Sequence, residues 1–479
     1  MMIYLVLLTF LLPLVLGISL YFGKFENRTN KNIIIGSVTA VVFVLNVLLA
    51  FFKGKFNLFN IAPSLNVGFM IDRLGSFFAI AISFVWLMVT IYSFEYMKHE
   101  DNENKFYCYF LLSFASLMGM CYSRNLITVY IFFELITLFS FPLVMHSKTK
   151  ESISAAMKYL FYSIGGAFLA LIGLFFLIKH SNNGDFTYGG IIDFTRLNDN
   201  LMHIVIFLGV LGFGAKAGMF PLQSWLPTAH PVAPSNASSI LSGIITKAGV
   251  FVIIRIIYYI VGPNYLLNSW VQVTLVVLAL ITILLGSGIA WACKNFKKRL
   301  AYSTVSQVSY ILLGIFMMNE ISLAGSLLHV LAHMGIKVTL FLTAGAIIYK
   351  THKRDVEDLE GIGKVMPIVI TCFSLASLGL VGVPPLGGFY SKWFLASGSL
   401  MSELGALKYI SCAVLLVSAI LTAAYLLPIM IKGFFVGNQI IKKNEPNKLM
   451  TIPMIVLVVF VFLVGIFSGY ILDYIQGMM

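Results

Sequence analysis

Stretches of about twenty apolar residues, parted by short polar connections, recur along the whole of this 479-residue chain. A hydrocarbon core about 30 Å thick takes about twenty such residues as one helical crossing. By that measure the sequence predicts fourteen spans, near 2–22, 32–52, 70–96, 106–122, 126–145, 153–178, 202–222, 237–261, 268–292, 301–319, 322–349, 366–396, 407–431 and 452–472. The fold class expected is an all-α integral membrane protein. Charged residues make up only 11% of the chain, against about a quarter in soluble proteins. The length therefore counts spans, not soluble domains. The opening MMIYLVLLTFLLPLVLGISLYFGK has no basic leader region, so it reads as a retained first span.

The net charge of +13 sets the orientation. Of 32 Lys and Arg, 19 (Lys24 and Lys442 among them) fall in loops that face inside if the N-terminus is outside; six fall in outer loops and seven within spans. Positive charge collects on the cytoplasmic side, so both termini are expected outside, in a cell inner (plasma) membrane. No solvated basic surface suggests nucleic acid as a partner. The cysteines, Cys108, Cys121, Cys293, Cys372 and Cys412, stand singly, without CxxC or Cys/His spacing. No metal and no cofactor is expected in this chain.

Two spans are interrupted. The seventh breaks as GAKAGMFPLQSW and the twelfth as SLGLVGVPPLGGFYSKWF, each with Gly, Pro and one Lys. They lie five spans apart, which predicts two five-helix repeats of opposite orientation with discontinuous helices 7 and 12, an arrangement that marks ion paths in transporters. The regions expected are 1–105 (three helices), 106–261 (first repeat), 268–431 (second repeat) and 432–479 (last helix). Pro and Gly merely tolerated in membrane helices would give similar breaks.

Ionisable groups within spans are costly and mark ion pathways. Lys216 and Lys247 flank the Pro-rich bend of 211–249, and Glu134 lies in VYIFFELITLFSF with a lysine as its expected partner. A static ion pair is the plainer reading of Glu134. His329, His333 and Lys337 recur every four residues in SLLHVLAHMGIKVTLFLTAG, so they form a stripe about 6 Å apart along one helix face. Histidine exchanges protons near neutral pH, and the stripe suits a proton wire. Zinc at His i and i+4 is the rival, but the glutamate and third ligand are missing. Lys392, after Gly387 and Gly388, reads as an exit group or a snorkelling side chain, and Lys158 in AAMKYLFY as a transport group or a snorkelling one. Arg73 and Arg255 read as interfacial anchors. Together Glu134, Lys216, Lys247, His329, His333, Lys337 and Lys392 form a candidate lateral relay. No nucleophile with its base, and no phosphate loop, points to covalent chemistry.

Several of these segments resemble one family. FMIDRLGSFF, NLITVYIFFELITLFSFPL, AAMKYLFYSIGGAFL, AYSTVSQVSYILLG, LLHVLAHMGIKVTLFLTAG and GVPPLGGFYSKWFL occur in the order of the antiporter-like subunits shared by respiratory complex I, Mrp cation/proton antiporters and group 4 membrane-bound hydrogenases. The resemblance implies that Glu134 pairs with Lys216, that Lys247 and the span-eleven groups continue the path, and that Lys392 ends it. It implies proton transport within a multisubunit complex, driven by iron–sulfur redox partners or exchanged against sodium. WLPTAHPVAPSNASSILSGIITKAG most resembles the hydrogenase and formate hydrogenlyase branch.

Overall fold

The computed structural model describes the chain except residues 1, 24–26, 64 and 436–442. Lys24 and Lys442 therefore lie outside the described residues. The molecule is a bundle of long helices: α1 (Met2–Phe22), α2 (Arg28–Leu49), α3 (Arg73–Tyr96), α4 (Glu103–Cys121), α5 (Leu126–Val144), α6 (Lys150–Ser181) and α7 (Asp199–Ala217). There follow short α8 (Leu226–Val232), long α9 (Ser235–Val261), α10 (Trp270–Ala292), α11 (Phe296–Phe316) and α12 (Glu320–Thr351). The last are α13 (Pro367–Val381), α14 (Gly387–Leu400), α15 (Leu407–Phe435), α16 (Lys448–Ile466) and α17 (Ser468–Gln476). Among the described residues, eleven helices are long and apolar enough to cross a membrane.

The fold is not wholly helical. Gly54–Ala62 (β1) and Leu65–Ile71 (β2) pair antiparallel, from Gly54 opposite Ile71 to Ala62 opposite Leu65. The sequence places residues 70–72 in the third span, yet α3 begins only at Arg73, with Asp72 capping the Gly75 amide. In KFNLFNIA and NVGFMI, β-branched and aromatic residues suit a pleated surface better than a helix. Phe69 carries the hairpin into the core by stacking on Phe10, with ring centroids 5.3 Å apart.

The two ends of the bundle differ. Loops 97–102, 145–149, 293–295 and 352–366 meet at one end, where the Phe296 amide donates to the Arg354 carbonyl and His99 packs on Tyr349. The adjoining helix ends, with Arg28, Lys105, Lys150, Lys298 and Arg299, make this the basic end. The hairpin, the 182–198 loop and α17 gather at the other, tied by Asp185 to Lys55 and Arg124.

Both interrupted spans are broken. Helix α7 stops at Gly218, whose φ of 78° lies in the left-handed region that closes helix C-termini. The chain then turns through 219–225 into α8. Helices α13 and α14 are parted by VPPL at 383–386, and Gly388 packs so tightly on the Gly379 carbonyl that a Cβ would not fit. Helices α9 and α12 run through the middle, buried along almost their whole length. Lys247, Arg255 and Lys337, which they carry, are thus enclosed by protein.

Candidate functional site

Helix α9 widens into π-helical turns over Leu241–Ile245 and Arg255–Val261. Such bulges free backbone carbonyls. Just past the first, the fully buried Lys247 turns its Nζ back to the Ser242 carbonyl at 2.8 Å and across to His333 Nδ1 at 2.6 Å. An ammonium has no lone pair, so while Lys247 is charged Nδ1 accepts and the ring proton sits on Nε2. The His333 and His329 rings stack, centroids 5.8 Å apart. His329 Nδ1 lies 2.8 Å from Ser391 Oγ on α14. Four side chains from three helices thus form one contiguous polar line. The Nε2 atoms of both histidines are buried without a partner, and buried polar groups of this kind are places for water.

Lys392 follows Ser391 in the chain. It does not snorkel. Its Nζ turns into the helix break and donates to the Leu380 and Val381 carbonyls, at 2.5 and 3.0 Å. These belong to the last turn of α13, where helix carbonyls lack intrahelical partners and the dipole is negative. Its charge also lies 5.2 Å from the Tyr310 ring centre.

Lys337 leaves the histidine stripe. Its Nζ donates to the Leu300 carbonyl (3.1 Å) and to Ser303 Oγ, both on α11, and it makes no hydrogen bond to His333. The side chain is long enough to reach a better-placed pair of acceptors.

Lys216 ends α7 fully enclosed, donating to the Phe133 carbonyl and Thr137 Oγ1 at 2.6 Å each, with its charge 3.7 Å from the Phe133 ring centre. Glu134 lies within electrostatic reach of Lys216 but forms no ion pair within 4.0 Å among the described residues, and its Oε1 is buried without a hydrogen-bond partner. Positions 133 and 137 stack on the face of α5 toward α7, whereas 134 is turned about 100° round the helix. The two groups share a neighbourhood, not a contact. Lys158 joins neither cluster. It lies half-buried on α6 with its Nζ 6.0 Å from the Tyr162 ring centre.

Two charged groups lie elsewhere than expected. Arg255 is no interfacial anchor: it is fully buried and forms a fork on Asp72, with bonds of 2.6 and 2.8 Å, between the rings of Phe186, Phe251 and Tyr259. Lys297, counted as a loop charge, is buried and donates to the Ala233 carbonyl at 2.5 Å. One turn from Ala233, His230 is fully buried with both ring nitrogens unpartnered, and its ring packs 4.8 Å from Phe341. Phe341 lies one turn from Lys337 toward the basic end. At that end, in loop 97–102, burial pushes the Glu100 carboxyl above its usual range while Lys297 pulls it down. His230 had a sequence signal, a histidine between two prolines of the bend. Lys297 had none, since one of three adjacent basic residues at a helix start reads as solvated.

The chain matches the family model described as NADH:quinone oxidoreductase/Mrp antiporter, transmembrane, over residues 123–422. Residues 59–107 match the complex I chain 5 N-terminus. The N-type NADH-quinone oxidoreductase subunit of Desulforudis audaxviator is 32% identical over 78% of this chain and 74% of its own length. Hydrogenase-4 component B of Escherichia coli is 33% identical over 67% of this chain, which there spans only about half (49%) of the relative. The D-type Na(+)/H(+) antiporter subunit of Alkalihalophilus pseudofirmus is 25% identical over 98% of this chain and 95% of its own. The fold is that of chains in the Mrp complex of Dietzia sp. DQ12-45-1b (21% identity, TM-score 0.85, 99% of this chain and 96% of that one) and in respiratory complex I of Thermus thermophilus (22%, 0.85, 99% and 98%). Matched over most of its length, the chain belongs to the NADH:quinone oxidoreductase/Mrp antiporter transmembrane family, the antiporter-like membrane subunits of complex I, hydrogenase-4 and Mrp-type complexes.

Proposed function

We propose that this chain translocates protons as one subunit of a membrane-bound, redox-driven complex of the hydrogenase or complex I type. The observation that carries the reading is the direct contact of Lys247 with His333, continued through His329 to Ser391 and the Lys392 break. A proton arriving at Nδ1 of His333 allows one to leave from Nε2, so the line can pass charge along the middle of the bundle without any large movement. Glu134 and Lys216 form a separate station, already within electrostatic reach of each other, that a side-chain rearrangement would bring into contact. Glu100, Lys297 and His230 offer access to Lys337 from the basic end. On this reading the chain crosses a plasma membrane fourteen times as two inverted five-helix repeats, 106–261 and 268–431, flanked by 1–105 and 432–479. The basic end faces the cytoplasm and both termini face outside. The chain itself holds no cofactor or metal, and peripheral partner subunits carry the iron–sulfur clusters.

Proton uptake by everted vesicles bearing the whole complex tests this. Replacing Lys247 or His333 by Ala should slow uptake about tenfold or more, as losing a positioned proton carrier does, with the complex still assembled. Undiminished uptake in both variants would leave a non-conducting anchor as the better reading. The match to the sodium/proton antiporter subunit along nearly its full length favours a second reading, sodium/proton exchange with no redox partner. Sodium-driven alkalinisation or acidification without an electron donor would select it.

A further inference from the structure

A groove of about 620 Å³ opens on the side of the bundle between α2, α3, α16 and α17. Its walls are carbon: Phe43, Phe77, Phe84 and Phe460 line it, and Leu331 forms part of the floor. It occupies one half of the membrane. Phe77 and Phe84 follow Arg73, which starts α3 at the end opposite the basic one, and Phe84 is eleven residues, about 16 Å, further in. That is about half of a 30 Å hydrocarbon core. Its mouth is polar. The Tyr474 hydroxyl donates to the Arg73 carbonyl and pins α17 over the start of α3. The exposed Arg73 guanidinium donates to the Gly477 carbonyl and forms no ion pair among the described residues. The adjacent Asp72 is already held by Arg255.

We propose that this groove is a binding site for one phospholipid of the leaflet at that end, its acyl chain against Phe77, Phe84 and Phe460 and its phosphate on Arg73. Hydrocarbon chains are slender and conform to carbon walls of this kind, and the cation beside Tyr474 calls for an anionic headgroup. Guanidinium N–H groups match phosphate oxygens two at a time, and Arg73 has donors to spare beyond the one given to Gly477. Tyrosines at such a mouth suit the headgroup level. The site has a consequence for the relay. Leu331 sits on the side of α12 turned away from His329 and His333, so the lipid would support the histidine helix from behind.

The probe is a phosphatidylglycerol carrying a photoreactive diazirine in mid-chain, diluted into phosphatidylcholine vesicles that hold the assembled complex. Labelled peptides are mapped after irradiation. The expected label falls on 77–84 and 456–463, saturates, and is displaced by unlabelled phosphatidylglycerol. Arg73→Gln, a surface change, should raise the competitor needed about fivefold, the size of one cation's attraction to anionic lipid. Ala81→Trp, which fills the groove, should remove that label while leaving the exposed α6 face around Phe161 and Phe168 labelled as before. Label that never saturates, or that Arg73→Gln leaves unchanged, identifies ordinary annular lipid and overturns the site. Label seen on the isolated subunit but absent from the assembled complex assigns the groove to a partner subunit and overturns it too.

Discussion

At the residue scale, two kinds of buried cation must be told apart. Lys216 and Lys337 spend their donors on carbonyls and hydroxyls of neighbouring helices, whereas Lys247 meets a histidine that can take its proton. Burying a charge costs several kcal/mol even after relaxation, so such a lysine is retained for a reason other than stability. Lys216→Met is therefore expected to leave thermal unfolding unchanged, or to stabilise by up to about 4 kcal/mol, as apolar replacements of buried charges do, while proton uptake is lost. A large fall in the unfolding midpoint would make Lys216 a structural group. Arg255 is the opposite case. Arg255→Ala strands Asp72 beside an emptied apolar pocket and should cost about 3 kcal/mol, read as a lower unfolding midpoint in detergent. A shift below about 0.5 kcal/mol would place this pair among surface-like bridges.

At the element scale, the breaks do the positioning. Lys392 reaches the last carbonyls of α13 only because α13 and α14 are separate helices, held close where Gly388 faces Gly379. Gly388→Ala adds a methyl group where backbone already sits. It should cost about 2 kcal/mol or more, in the range of overpacking, and slow proton uptake by moving Ser391 and Lys392 off the line. Retained uptake at normal stability would show that the break tolerates expansion. The wide turn at 241–245 does the same for Lys247, whose Nζ takes the Ser242 carbonyl in its own helix.

At the scale of the whole molecule, the hairpin clamps the end opposite the basic one. Asp185 in the 182–198 loop receives Lys55 from β1 and Arg124 from the start of α5. Partial burial pushes its carboxyl up, but the two cations more than offset this and hold it below the usual range. A depressed folded pKa gives stability that is present above the unfolded value, about 3.9, and is lost as pH falls through the folded one. The clamp should therefore hold at neutral pH and release only below about pH 4. The protection of 54–71 against hydrogen exchange, taken relative to the intrinsic rate at each pH, should fall over that acid range, and Asp185→Asn should lower it at pH 7. Equal exchange in both proteins at pH 7 would show that the hairpin is held by its aromatic packing alone.

Much of this was legible in the sequence. Apolar length marks helices whatever their neighbours, because a backbone in lipid must satisfy its own hydrogen bonds. The breaks were legible from Gly and Pro, and the titratable positions from their cost in hydrocarbon. The hairpin at 54–71 was not, since its apolar residues run on into α3 and blur the boundary. Nor were the partners. Whether Glu134 meets Lys216, whether Lys337 joins the histidines, whether Lys297 is wet or buried, each turns on which helix lies alongside and on rotations of about 100° per residue. The apolar helices and the buried titratable residues were thus set by local composition. Which of them touch was decided only by tertiary packing, because a hydrogen bond ends within about 3.2 Å and no periodicity along one helix measures the distance to another.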